Sequence, residues 1–145
     1  MPMIKFGVHA ESKHHAQVEV TARNFKMIVD EPPNLGGTDE GANPVEYVLA
    51  ALAGCLNVVG HMVAKEMNFE IKALSFDIEG ELDPAGFMGK AKDVRPGYQS
   101  ITVKANVDTE ADDATLEKWL EIIESRCPVS DNLQNPTPVK LEIVK

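Results

Sequence analysis

The chain has 145 residues, 43% of them apolar and 26% charged, with a net charge of −9. That length suits one domain, 1–145, with a real core, and the acidity argues against nucleic acid and anionic membrane surfaces as partners. No N-terminal stretch runs basic, apolar, then small as a secretion signal does; with only two cysteines, the chain reads as a cytoplasmic protein with reduced or redox-active thiols.

The first third has strand character. Ile4, Phe6 and Val8 alternate with polar or small neighbours, as do Val18 and Val20, and Phe25 to Val29 is mostly apolar. Arg23-Asn24 reads as a hairpin turn between the last two. Asp30 to Asn43, with its prolines and glycines, reads as loop. A helix then starts with Asn43 at the N-cap, Pro44 in the first helical position and Glu46 at the third, a capping box. It runs to about Met67. Tyr47 to Ala64 carries no Asp, Glu, Lys or Arg. Its alanines, glycines, Asn57 and His61 keep the hydrophobicity modest, so the segment reads as a helix covered by protein and not as a membrane span.

Two alternating segments follow, Leu74 to Leu82 and Ser100 to Val107, with the pattern of half-buried antiparallel strands. The loop between them, Asp83 to Gly97, is long enough to expect a function of its own; Phe87 and Met88 near its start line a pocket or patch the surface. Thr109 to Asp112 reads as a second capping signature before Leu116, Trp119, Leu120 and Ile123 at helical spacing. Pro128 interrupts that helix, and a short turn to Leu133 follows. Val139, Leu141 and Ile143 predict a last strand. The order is that of an α+β fold. A nearly all-apolar helix needs cover on every face, which a homodimer burying two such helices would supply.

The thiols are the chemical candidates. Cys55 lies inside the long helix, where a free cysteine is either a small core residue or a nucleophile needing a cation nearby. Cys127 stands at a helix start beside Arg126, a cap residue or a thiolate; the helix dipole and the arginine make it the more acidic thiol on sequence grounds. Glu46 is accounted for by capping, and a separation of nine residues puts it on roughly the opposite face from Cys55. Glu66 shares the Cys55 face about three turns on. His14 and His15 read as solvated loop residues, and His61 as a core residue. No CxxC or HxxxH spacing points to metal, and no GxSxG, Walker or GxGxxG motif points to a serine hydrolase or a nucleotide enzyme.

Asn43-Pro44-Val45-Glu46-Tyr47-Val48-Leu49-Ala50-Ala51-Leu52-Ala53-Gly54-Cys55 resembles the central-helix motif of the OsmC/Ohr family, and Arg126-Cys127-Pro128-Val129-Ser130 resembles its second-cysteine motif. The resemblance is nearer the OsmC-like branch than the organic-hydroperoxide-resistance branch. It implies antiparallel sheets around a long buried central helix, an intertwined homodimer, and interface active sites. It implies a thiol peroxidase acting on organic hydroperoxides and regenerated by a dithiol, without metal, haem or flavin. Cys55 corresponds to the peroxidatic cysteine and Cys127 to the resolving one. Two departures stand out. The family's glutamate follows the proline directly, where this chain has Val45, with Glu46 one place later. The family's arginine falls where this chain has Leu35, Gly36 and Gly37; Arg23, on the hairpin, is the only arginine before the helix. Those departures also fit a dimer that has lost catalysis and binds a small apolar ligand at its interface.

Overall fold

A computed structural model describes all residues, Met1–Lys145. The elements are β1 (His9–His14), β2 (Gln17–Ala22), β3 (Phe25–Val29), α1 (Pro44–Glu66), β4 (Ala73–Leu82), α2 (Pro84–Phe87), β5 (Tyr98–Asp108), α3 (Asp113–Arg126) and α4 (Pro128–Gln134). This is a mixed α+β architecture with antiparallel sheets and one long helix. The chain divides into two compact units, 1–50 and 51–145, and α1 runs across the boundary.

In the first unit β1, β2 and β3 form an antiparallel sheet in that order. The β2–β3 turn falls at Arg23-Asn24 as its composition predicts, with Arg23 in the left-handed region at φ 57°. Asp30, fully buried, organises the loop after β3. Its carboxylate accepts the amides of Glu31, Thr38 and Glu40, the Gln17 side-chain amide and the Thr38 hydroxyl. Gly37 has no room for a Cβ there, since one would collide with Glu31 O. The predicted capping box closes α1: Asn43 N–H donates to Glu46 Oε1 and Glu46 N–H to Asn43 Oδ1, both at 2.9 Å.

In the second unit β4 and β5 pair antiparallel, with Leu74 opposite Val107 and Phe76 opposite Ala105. The predicted apolar alternation sets the covered face all along β4, and on β5 at Ile101, Ala105 and Val107 while Val103 stays exposed. The core is Val59, Val63, Ala64, Trp119 and Ile123, with Leu74, Val107 and Leu116 packed on it. Trp119 donates its indole N–H to Gly60 O at 2.8 Å, and a Cβ on Gly60 would sit 3.3 Å from the ring. Glycine at 60 is what lets α3 approach α1 so closely.

Four expectations need correction. Residues 1–8 and the Val139–Ile143 stretch form no strand, because no neighbouring strand of this chain pairs with either; Phe6 and Leu141 stay 88% and 93% exposed. The cap of α3 is Asp112, which accepts Thr115 N–H, while Thr109 donates its hydroxyl to Glu70 O. The capping sequence was offset by three residues because two candidate cap residues stand in one short run. His61 is exposed and not in the core. Finally, α1 is long and apolar enough to cross a membrane, yet within the chain its cover is one-sided: Leu52, Val59, Gly60, Val63 and Ala64 are buried while Val58 is 65% exposed.

Candidate active site

Cys55 sits on α1 three residues after buried Leu52 and four before buried Val59, so helical spacing sets it at the margin of the covered face. It remains half-buried and packs against the core. Cys127 closes α3, its N–H bonding Ile123 O at 3.0 Å, and at the same time caps α4. Pro128, without an N–H, cannot continue α3 but suits the first position of α4. The turn swings the Cys127 sulfur inward, where it is 1% exposed.

The two sulfurs meet. Cys127 Sγ–H donates to Cys55 Sγ at 2.9 Å, and the Ser130 amide donates to Cys127 Sγ at 3.4 Å. Both are free thiols. Burial pushes the Cys127 thiol up, and its bond to Cys55 adds to the rise; the Ser130 and Val129 amides pull the other way and lose. This runs against the sequence expectation of an acidic thiol at Cys127. The reason is geometric: a helix N-terminus favours a thiolate only where water or a cation helps to carry the charge.

The cation expected beside it points elsewhere. Arg126 forms a two-pronged pair with Glu66, Nη1 to Oε2 at 2.6 Å and Nη2 to Oε1 at 3.1 Å. Hydrogen bonding to the guanidinium holds the Glu66 carboxyl below its ordinary range. The pair joins the C-terminal ends of α3 and α1 about three turns beyond Cys55. Of the other residues singled out from the sequence, Glu46 is exposed and engaged in the capping box, and Arg23 lies over the Phe25 ring at 4.9 Å.

One grouping has metal-type donors: His14, Asp30 and Glu40, with ligand atoms within 4.8 Å of one another. It is arranged as a hydrogen-bond network. Asp30 is already saturated with donors, and His14 Nδ1 accepts the Ala16 amide at 3.2 Å. That bond puts the ring proton on Nε2, the nitrogen facing Thr38 Oγ1.

A cavity of about 700 Å³ adjoins the thiols. Leu52 and Leu56, which flank Cys55 on α1, form part of its wall, as does Ser130 beside Cys127. Phe87 and Met88 are exposed surface and do not line it. The long loop contributes Arg95 at its other end, a residue marked in the sequence only by the Pro96-Gly97 that follows it.

Comparison with known proteins places the chain in a family. The family model described as OsmC-like protein matches residues 37–142. A Mycoplasma pneumoniae protein named hydroperoxide reductase is 18% identical over 139 residues, 96% of this chain and 94% of that protein. The crystal structure of an OsmC-like protein from Mycoplasma pneumoniae superposes with a TM-score of 0.79 at 18% identity, covering 90% of this chain and 88% of the other. An organic hydroperoxide resistance protein OsmC from Legionella pneumophila gives 0.69 at 18% identity, with 92% of each chain covered. Since the matched residues run from the loop before α1 past the α3–α4 turn and so take in both cysteines, the chain belongs to the OsmC-like protein family.

Proposed function

We propose that this protein is a thiol peroxidase that reduces organic hydroperoxides. The observation that carries the reading is the 2.9 Å approach of Cys55 and Cys127. The hydroperoxide-reductase name of the Mycoplasma pneumoniae relative supports it. Cys127, buried and holding its proton, hydrogen-bonds to Cys55 Sγ and so stabilises negative charge there. Cys55, the more open of the two, attacks the terminal oxygen of R–O–OH. The O–O bond breaks, the sulfur becomes Cys55–S–OH, and the alkoxide takes a proton to leave as ROH. Cys127 then attacks the sulfenic sulfur, forming the disulfide and releasing water. A disulfide spans about 2.05 Å between sulfurs, so the pair starts about 0.9 Å from bonding distance. An external dithiol returns both thiols.

The Ala51–Lys145 unit leaves Arg126 on Glu66, so the reading assigns the charge-handling roles to Arg23 and Glu46. It also takes the whole chain as one OsmC-like domain, working as a homodimer. The exposed Val58 and Met62 on α1 support the dimer.

The test is turnover of cumene hydroperoxide with a dithiol reductant. Cys55→Ser should abolish turnover, and Cys127→Ser should complete one cycle and accumulate a sulfenate that a dimedone probe traps. Equal activity in the two variants would overturn the assignment. A small apolar ligand bound without turnover would favour the second reading, a non-catalytic dimer binding such a ligand, which the engagement of Arg126 with Glu66 supports; slow stoichiometric oxidation without turnover would point to a redox-sensing role.

A further inference from the structure

We infer that Arg95 is a specificity-determining residue, which selects hydroperoxides carrying a carboxylate at the end of an apolar body. The inference rests on the peroxidase reading for the reaction, and on the cavity beside the thiols for the selectivity.

The cavity wall is apolar where α1, β4, β5 and α3 meet, with Leu52, Leu56, Phe76 and Trp119 among its residues. A ligand seated there buries hydrocarbon. The wall carries one cation, Arg95, and one carboxylate, Glu124. Arg95 is held in place. Its Nη2 donates to Tyr98 O at 2.7 Å, and Gln99 Nε2 donates to Arg95 O at 3.0 Å. Beneath it the loop is tight: a Cβ on Gly86 would fall 2.9 Å from Pro96 Cα and 3.0 Å from Arg95 O. Next to it the Tyr98 ring lies against Gly80, where a Cβ would come within 2.5 Å of the ring. Arg95 forms no ion pair with a protein carboxylate, unlike Arg126. Only one of its five N–H groups is in use, and a guanidinium with free adjacent N–H groups matches a carboxylate in a two-pronged geometry. Arg95 and Glu124 are both exposed, and Glu124 has no such anchor. A fixed cation at one part of the cavity wall, with Leu56 next to Cys55 and Ser130 bonded to Cys127 at another, fits a substrate whose peroxide and carboxylate lie at different points along a hydrocarbon frame. It also gives the long loop between β4 and β5 its use.

The experiment compares three hydroperoxides of matched size: a carboxylic acid, its methyl ester and an amine-bearing analogue. Wild-type protein should prefer the acid over the ester by about tenfold in kcat/KM, the size of one charge-assisted hydrogen bond. Arg95→Gln should erase that preference and leave the ester rate within about twofold, since Arg95 does not touch the thiols. Arg95→Lys should keep part of it. No preference in wild type, a preference unchanged in Arg95→Gln, or a preference for the amine (which would name Glu124 as the selector) would overturn the inference. A separate readout covers failure of the peroxidase reading. Trp119 is the sole tryptophan and lines the cavity. Binding of an unreactive decanoate, followed by its fluorescence, should weaken about tenfold in Arg95→Gln while methyl decanoate binding holds. Equal decanoate affinity in both proteins would refute the anchor whether or not any peroxide turns over.

Discussion

At the scale of single residues, Glu46 and Asp30 show how one carboxylate is explained by local structure and another by what surrounds it. Glu46 completes a capping box, a role glutamine also fills. The Glu46→Gln variant should therefore melt within about 2 °C of wild type. If the carboxylate takes part in the reaction, kcat/KM should still fall about tenfold or more. An unchanged rate at unchanged stability would leave Glu46 a cap only. Asp30 is different. Desolvation would raise its pKa, but hydrogen bonds from Thr38, Gln17 and the Glu31 and Glu40 amides outweigh it and hold the carboxyl far below its ordinary range. A depressed folded-state pKa stabilises the fold above the unfolded-chain value of about 3.9, and that contribution is lost as pH falls from there toward the folded value. Asp30→Asn, which turns an acceptor toward donors, should lower the melting temperature by about 5 °C or more at neutral pH. The gap to wild type should narrow below about pH 4; a gap that widened in acid would contradict this account. Asp30 carried no sequence motif. Its importance arises from five donors that only the folded loop assembles.

At the scale of elements, α1 concentrates the competing forces. Its start is local chemistry, and replacing Asn43 by Ala should cost about 1 kcal/mol, read as a shift in the denaturant midpoint. Further along, Gly60 sets helix propensity against packing. Alanine there gains about 1 kcal/mol of propensity. Its methyl would lie 3.3 Å from Trp119, which is 1% exposed and tied by its indole to Gly60 O, so the ring cannot yield. Overpacking costs about 1–3 kcal/mol, and Gly60→Ala should be destabilising on balance; a stabilised variant would show that α3 has slack against α1. The long strands and both long helices were legible in the sequence because period and caps act within a few residues. The segments that misled, 1–8 and Val139–Ile143, have equally good alternation. Alternation says which face could be buried, and a strand also needs a neighbour to pair with.

At the scale of the whole molecule, one chain leaves apolar surface uncovered: Val58 and Met62 on α1, and Leu141, Ile143 and Val144 at the C-terminus. Under the dimer reading, light scattering should give twice the chain mass of 15.8 kDa. Val58→Asp should shift the population toward monomer, since an unpaired charge in an apolar interface is costly; a monomeric wild type would end that reading. The cysteine pair belongs to this scale too. The identity of the two cysteines, the capping of the long helix and the family motifs are short stretches of chain, and each could be read without knowing the fold. The meeting of sulfurs 72 residues apart depends on α3 docking against Gly60 and on the turn at Pro128. So does the raised thiol at Cys127, where burial beats the helix terminus, and so does the turning of Arg126 toward Glu66. Periodicity and capping are interactions among near neighbours, which a linear pattern records. Desolvation and charge pairing depend on what arrives from distant parts of the chain, and no local pattern encodes that.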